Sequence, residues 1–175
     1  MLNKTFKLSR GFTLLEVIIA IFIISVGVGG VAKLVPSLIA GASVNQSRLV
    51  AAYLAQEGIE IIRNVRDTRW LKNHYSGTPS PWDFFAERCA SGCEMDYLIM
   101  ASFVPHDYFG TKLKIDPVNG FYNYASGQDT KFDRKITVQS DSDDPDNILI
   151  ITVDVFWEDR GKPYNFSAQE KLCKW

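Results

Sequence analysis

Histidine is nearly missing from this 175-residue chain: there are two, His74 and His106. Neither stands at ligand spacing from a cysteine or another histidine, so each reads as a solvated loop residue rather than a metal ligand. No Gly-x-Ser-x-Gly turn, His-Glu-x-x-His pair or phosphate-cradling glycine loop occurs. Nothing therefore points to an enzyme. Excess positive charge is missing too, since 19 Lys and Arg against 20 Asp and Glu leave −1 at pH 7. Nucleic-acid binding normally shows as a basic patch. The one candidate stripe is Arg63, Arg66, Arg69 and Lys72, and it gives no case for a nucleic-acid partner.

Charge is also missing from a long stretch near the start. From Phe12 to Ala32 the single charged residue is Glu16. A carboxylate left in a bilayer-length segment costs on the order of 2–3 kcal/mol unless a partner satisfies it. The uncharged run Val17 to Ala32 spans about 24 Å as helix, short of the roughly 30 Å hydrocarbon core. Adding residues 12–15 and 34–42 closes the gap, with Lys33 able to snorkel. Gly27, Gly29 and Gly30 each cost about 1 kcal/mol relative to alanine, and Pro36 removes a backbone donor. Neighbouring helices or lipid must offset this.

Lys4, Lys7 and Arg10 precede the run and favour a cytoplasmic N-terminus with the remainder exported. A secretory signal places its small-residue cleavage site after the apolar stretch. Here Gly11 precedes it, so a cut at that glycine leaves the membrane segment attached. The basic leader followed by Arg10-Gly11-Phe12-Thr13-Leu14-Leu15-Glu16 resembles the processing site of type IV pilins and type II secretion pseudopilins.

The resemblance implies cleavage between Gly11 and Phe12 by a prepilin peptidase, methylation of the new Phe12 amine, and a subunit-assembly role for Phe12 and Glu16. It implies a substrate in the bacterial cytoplasmic membrane, single-pass with its N-terminus cytoplasmic before processing, then in an extracellular or periplasmic filament. The implied partners are the peptidase, other pilin subunits through the N-terminal helix, and an inner-membrane assembly platform. Removing the three leader positives would take the formal charge from −1 to about −4. Family filaments are believed to loosen this helix on assembly. The glycines allow that, or merely close helix packing. Pro36 falls a few residues later than the family's usual proline, and Lys33 stands near where that proline would be.

The implied fold class is α+β, a long N-terminal helix packed on a small C-terminal antiparallel sheet. The parts are a leader at 1–11, an apolar helix at 12–42, an amphipathic helix at 43–69, an aromatic-rich variable region at 70–130 and a sheet at 131–175. Leu49, Val50, Tyr53, Leu54, Ile61, Ile62 and Val65 recur at three- and four-residue steps. With the apolar helix they form one element about 85 Å long. Glu57 or Glu60 with Arg63 reads as a surface pair.

In the variable region, strands are expected at 96–103 and 112–115, with a tight turn at Asn119-Gly120. Its aromatics, Trp82 and Phe103 among them, tack the region onto helix and sheet, or line a binding surface. Strands follow at 131–138, 148–157 and, more weakly, 164–172. Three cysteines lie in the exported part, where bridges form. Cys89 with Cys93 is the expected pair, leaving Cys173 over; the alternative ties Cys173 to one of them. An aromatic-rich insert in place of a compact repeatable face, and three cysteines in place of the single terminal pair seen in many major pilins, favour a minor pilin. Asp141, Asp143, Asp144 and Asp146 crowd one turn. Oxygen ligands at alternate positions can hold calcium, though the turn has neither the glycine nor the distal glutamate of an EF-hand loop and otherwise reads as a solvated, edge-protecting tip. No other cofactor is expected. The rival reading is a membrane-anchored monomeric binding or adhesion module that does not polymerise.

Overall fold

A computed structural model describes residues 11–76, 84–98 and 104–174. Leader residues 1–10, Pro79, Pro81, Trp82 and the 99–103 part of the expected strand at 96–103 lie outside them. The chain divides into two units, Met1–Val44 and Asn45–Trp175.

In the first unit the helix α1 (Leu14–Ser76) begins, and it continues past Pro36. Its apolar residues from Leu14 to Ile39 are exposed on every face. A helix apolar all round belongs in a membrane or against copies of itself. It is long and apolar enough to cross a membrane.

In the second unit α1 extends to Ser76, seven residues beyond the expected end near Arg69. The face it buries is smaller in side-chain volume than expected. Ser47, Ala51, Leu54, Ala55, Ile62 and Val65 are buried, while Leu49 and Tyr53 are more than half exposed. Spacing alone cannot tell a large exposed residue from a large buried one when alanines line the contact face. A Cβ on Gly58 would sit 2.9 Å from Val153 Cγ1, so any larger residue at this turn of the helix would force Val153 to shift.

Among the described residues the sheet has seven strands: β1 (Cys93–Glu94), β2 (His106–Asp107), β3 (Lys112–Ile115), β4 (Tyr122–Asn123), β5 (Gln128–Ser140), β6 (Ile148–Asp159) and β7 (Lys162–Cys173). A short helix α2 (Phe84–Arg88) precedes them. β5 pairs antiparallel with β6 on one side, and with β3 and β1 on the other. β6 pairs with β7 over twelve residues. Alternate β6 residues Leu149, Ile151, Val153, Val155 and Trp157 are buried with Ile136 and Val138 of β5, the period of a strand with one core face. The third strand is thus as long as the second. The β6–β7 loop is Arg160-Gly161, with φ of 54° and 72°, the two-residue turn that matches strand twist.

The aromatic-rich variable region, where two strands were expected, contributes four short ones to this sheet. Residues 96–98 are not strand; the pairing sits earlier, at Cys93–Glu94 against His106–Asp107. Side-chain acceptors order what the ladders leave over. Glu94 Oε1 accepts from the backbone N–H groups of Phe109 and Thr111, at 3.0 and 2.8 Å. The Asp96 carboxylate accepts from Leu98 and Tyr124, at 3.0 and 2.7 Å. Buried backbone donors need such acceptors.

Cys89 and Cys93 are disulfide-bonded and fully buried, with Cα atoms 5.0 Å apart. The bridge joins the end of α2 to β1 and sits where Val138 N–H donates to Cys89 O at 3.2 Å. Closing so short a loop stabilises by about 2 kcal/mol on the chain-entropy relation. Urea unfolding with and without a phosphine reductant should show a loss of about that size, and no change would place the sheet's stability elsewhere. Cys173 is unbonded and exposed.

Candidate functional site

The region that distinguishes this chain is the start of α1. Gly11, Phe12 and Thr13 lie before the helix and are exposed, with Phe12 81 % exposed. Nothing approaches within 4 Å of a Cβ built on Gly11. The Gly11–Phe12 peptide bond is therefore open and non-helical, the state a protease must grip.

Thr13 ends that stub. Its Oγ1 accepts from the Glu16 backbone N–H at 3.3 Å, and its carbonyl takes the first helical bond from Val17 N–H at 3.2 Å. Thr13-Leu14-Leu15-Glu16 is a Thr-x-x-Glu sequence with threonine at the N-cap and glutamate three residues on. The sequence reading overlooked this cap, although the spacing announces it. Glu16 is thereby fixed in the first turn, where the positive end of the helix dipole stabilises a carboxylate by about 0.3–1 kcal/mol. Two residues separate the open bond from the helix, and the acid stands at the fifth position after the bond.

The acidic turn holds a different arrangement from the calcium set expected there. Asp141 is 2 % exposed, and its carboxylate accepts from Lys171 Nζ at 2.5 Å and from the Asp143 N–H at 2.9 Å. Asp144 accepts from Asn147 Nδ2 at 2.9 Å. Among the described residues no three His, Cys, Asp or Glu side chains come together as a metal ligand set. Of Asp141, Asp143, Asp144 and Asp146, Asp141 is the one that is buried, and Lys171 of β7 takes its carboxylate.

That ion pair has a pH signature. Lys171, helped by the Asp143 N–H, holds the Asp141 carboxyl below its ordinary value, and Asp141 raises Lys171. A depressed carboxyl stabilises above its unfolded pKa of about 3.9 and loses that contribution as pH falls through the folded value. A raised lysine stabilises below about 10.4 and loses it as pH climbs past the folded value. Asp141→Asn should flatten the acid side of a stability–pH profile measured by urea unfolding. An unchanged acid limb would show that the pair contributes nothing.

The basic stripe is engaged. Arg63 pairs with Glu60 at 2.5 Å and with Glu170 of β7. Arg66 is buried, pairs with Asp67 at 2.8 Å and donates to Cys173 O at 3.2 Å. Arg69 lies over the Phe84 ring, 3.7 Å from its centroid. Arg63 and Arg66 fasten the helix to β7, and Arg69 fastens it to α2. Glu57 leaves Arg63 alone and faces Arg134 at 3.6 Å. It also edges a shallow, open depression with Tyr97, Gly120, Phe121 and Tyr122. The Asn119-Gly120 turn beside it is closed by Gly120 N–H to Asp116 O at 2.8 Å.

No curated protein and no solved structure matches this chain. Residues 6–32 match the family model of the prokaryotic N-terminal methylation motif. Set beside an apolar N-terminal helix and a C-terminal antiparallel sheet, that match supports placing the chain with the type IV pilins and pseudopilins, as a pilin-like substrate of prepilin peptidase and a structural protein.

Proposed function

We propose that the chain is a minor subunit of a type IV pilus-like or type II secretion-like filament. Its leader is removed after Gly11, the Phe12 amine is methylated, and the helix holds the subunit in the cytoplasmic membrane until assembly. In the fibre, Glu16 pairs with the Phe12 amine of a neighbouring subunit inside a dry core. The observation that carries this reading is the placement of Glu16. It is the one acid on the wholly exposed apolar part of α1, fixed by the Thr13 cap a turn beyond an open Gly-Phe bond. Each charge is costly alone in an apolar core, and a misplaced subunit leaves both bare, so the pair also sets register.

The partners in this reading are the peptidase, other pilin subunits packed through α1, and the assembly platform of the inner membrane. A minor rather than a major role is supported by the local Cys89–Cys93 bridge with Cys173 left over, and by the aromatic-rich insert between α1 and the long strands. The rival, a tethered monomeric binding module, draws on the depression beside Phe121 and requires no cleavage. The intact mass of the membrane-extracted protein separates the two. Loss of residues 1–11 with gain of one methyl is expected, and a full-length unmethylated mass as the working form would overturn the proposal.

A further inference from the structure

From Phe12 to Ser47 the chain carries two charges of opposite sign, Glu16 and Lys33. Both lie on α1 in the first unit and are exposed. Neither forms an ion pair among the described residues. Their own helix offers no remedy. The residues three and four steps from Glu16 are Phe12, Thr13, Ile19 and Ala20, and those around Lys33 are Gly29, Gly30, Pro36 and Ser37. Helical ion pairs need an opposite charge at those steps. Seventeen residues separate Glu16 from Lys33, an axial distance of about 25 Å.

In a bilayer each charge sits near one face of the hydrocarbon and can reach water. Once such helices are packed against each other away from lipid headgroups, that escape closes. We propose that Lys33 of one copy is the second partner of Glu16, on another copy displaced outward along the helix axis by about 25 Å. The partner is thus a second copy of this chain, and charge complementarity identifies it. This rests on the filament reading above and adds a second, longer register to it. Pairing with the Phe12 amine needs an offset of about 6 Å, so the two contacts fall on different neighbours.

Two features of α1 suit the longer offset. A helical side chain leans over the turn before its own Cα, and the turn before Lys33 carries Gly29 and Gly30, where nothing stands within 4 Å of an added Cβ. The bare turn lets a second backbone approach the ammonium closely. Seventeen residues also make about 4.7 turns, so the Glu16 and Lys33 faces lie roughly a quarter-turn apart. A contact between two different faces with an axial shift does not close on itself. It propagates as an open helical array.

The test keeps both charges in place and reads the register beside them. Ala20 and Ser37 lie one turn beyond Glu16 and Lys33 on the same faces. Two differently tagged full-length copies are co-expressed, one carrying Ala20→Cys and the other Ser37→Cys, both with Cys173→Ser. A disulfide between tags is expected in the assembled fraction, falling at least ten-fold when Lys33→Gln is added. A second combination, Ile23→Cys with Ile19→Cys, reports the short register. If that pair crosslinks and Ala20 with Ser37 does not, the Lys33 partnership is wrong and the filament reading stands. If neither crosslinks, copies of this chain do not stand beside each other in the assembled fraction and the Lys33 partnership between copies is wrong. A 20–37 crosslink that persists undiminished in Lys33→Gln would overturn the charge pairing as its cause.

Discussion

Glu16→Ala is expected to enter the membrane and lose its leader normally, yet to join fibres on the order of a hundred-fold less than the unaltered chain. Removing one member of a buried ion pair costs about 3–5 kcal/mol, because the other charge stays desolvated and alone. At about 1.4 kcal/mol per factor of ten, the low end already gives that loss. The local structure explains why earlier steps survive. Thr13 Oγ1 caps the helix through the backbone N–H of residue 16, not through the carboxylate, and alanine keeps that N–H. The Gly11–Phe12 bond stays exposed and non-helical. Glu16→Gln keeps the shape and removes the charge, so it should fall with alanine. Quantifying leader loss by mass and fibre content by sedimentation checks both halves; normal incorporation of either variant would contradict the pairing.

Arg134→Ala is expected to be the most destabilising single change in the outer unit, by about 3–5 kcal/mol. Arg134 on β5 is fully buried. Its guanidinium donates to Leu54 O of α1 at 3.0 Å and to Met95 O at 2.5 Å, and faces Glu57 at 3.6 Å. One cation thus joins the helix, the central strand and the segment after β1. Alanine would leave a cavity, take the side-chain donor from the Met95 carbonyl and leave a half-buried acid without its cation. Arg134→Met fills the space without a charge and should lose less. Burial pushes the Glu57 carboxyl up, and Arg134 opposes that rise. A carboxyl raised in the folded state costs stability as pH climbs through its folded value. The alanine variant should therefore lose more at pH 7 than near about pH 4, where Glu57 is largely protonated in both states. Urea unfolding of the full chain in detergent, followed through buried Trp157, measures it. A loss under about 1 kcal/mol would mean the guanidinium is replaceable.

How far this fold could be read in advance depended on whether periodicity or identity carried the information. β6 was legible because Ile148 to Trp157 is β-branched and apolar, and its pairing followed from the hairpin at Arg160-Gly161. β3 fell where its Lys-Leu-Lys-Ile alternation placed it. The last turns of α1 were missed because Trp70, Leu71 and Tyr75 are exposed there and give no amphipathic stripe to follow. The contact face was misassigned at Leu49 and Tyr53 because small residues make the close approach. β1, β2 and β4 are two residues each, too short for any period, and are held by acceptors such as Glu94 whose partners lie far along the chain. Arg134 passed as one charge in an alternating strand; nothing local announces that its core-side neighbours are carbonyls. The site was more legible than the domain, because a single acid in an apolar run needs no tertiary context to stand out.

The most direct measurement is a distance between copies. Fibres would be grown from a mixture in which some subunits carry ¹³C at the Glu16 carboxyl and others ¹⁵N at the Phe12 amine, and dipolar recoupling would be read by solid-state NMR. The account predicts a coupling that matches an ion pair, within about 4 Å, arising only in the mixed sample. A Phe12 nitrogen still in a peptide bond to Gly11, or an amine with no carboxyl carbon near it, would contradict it.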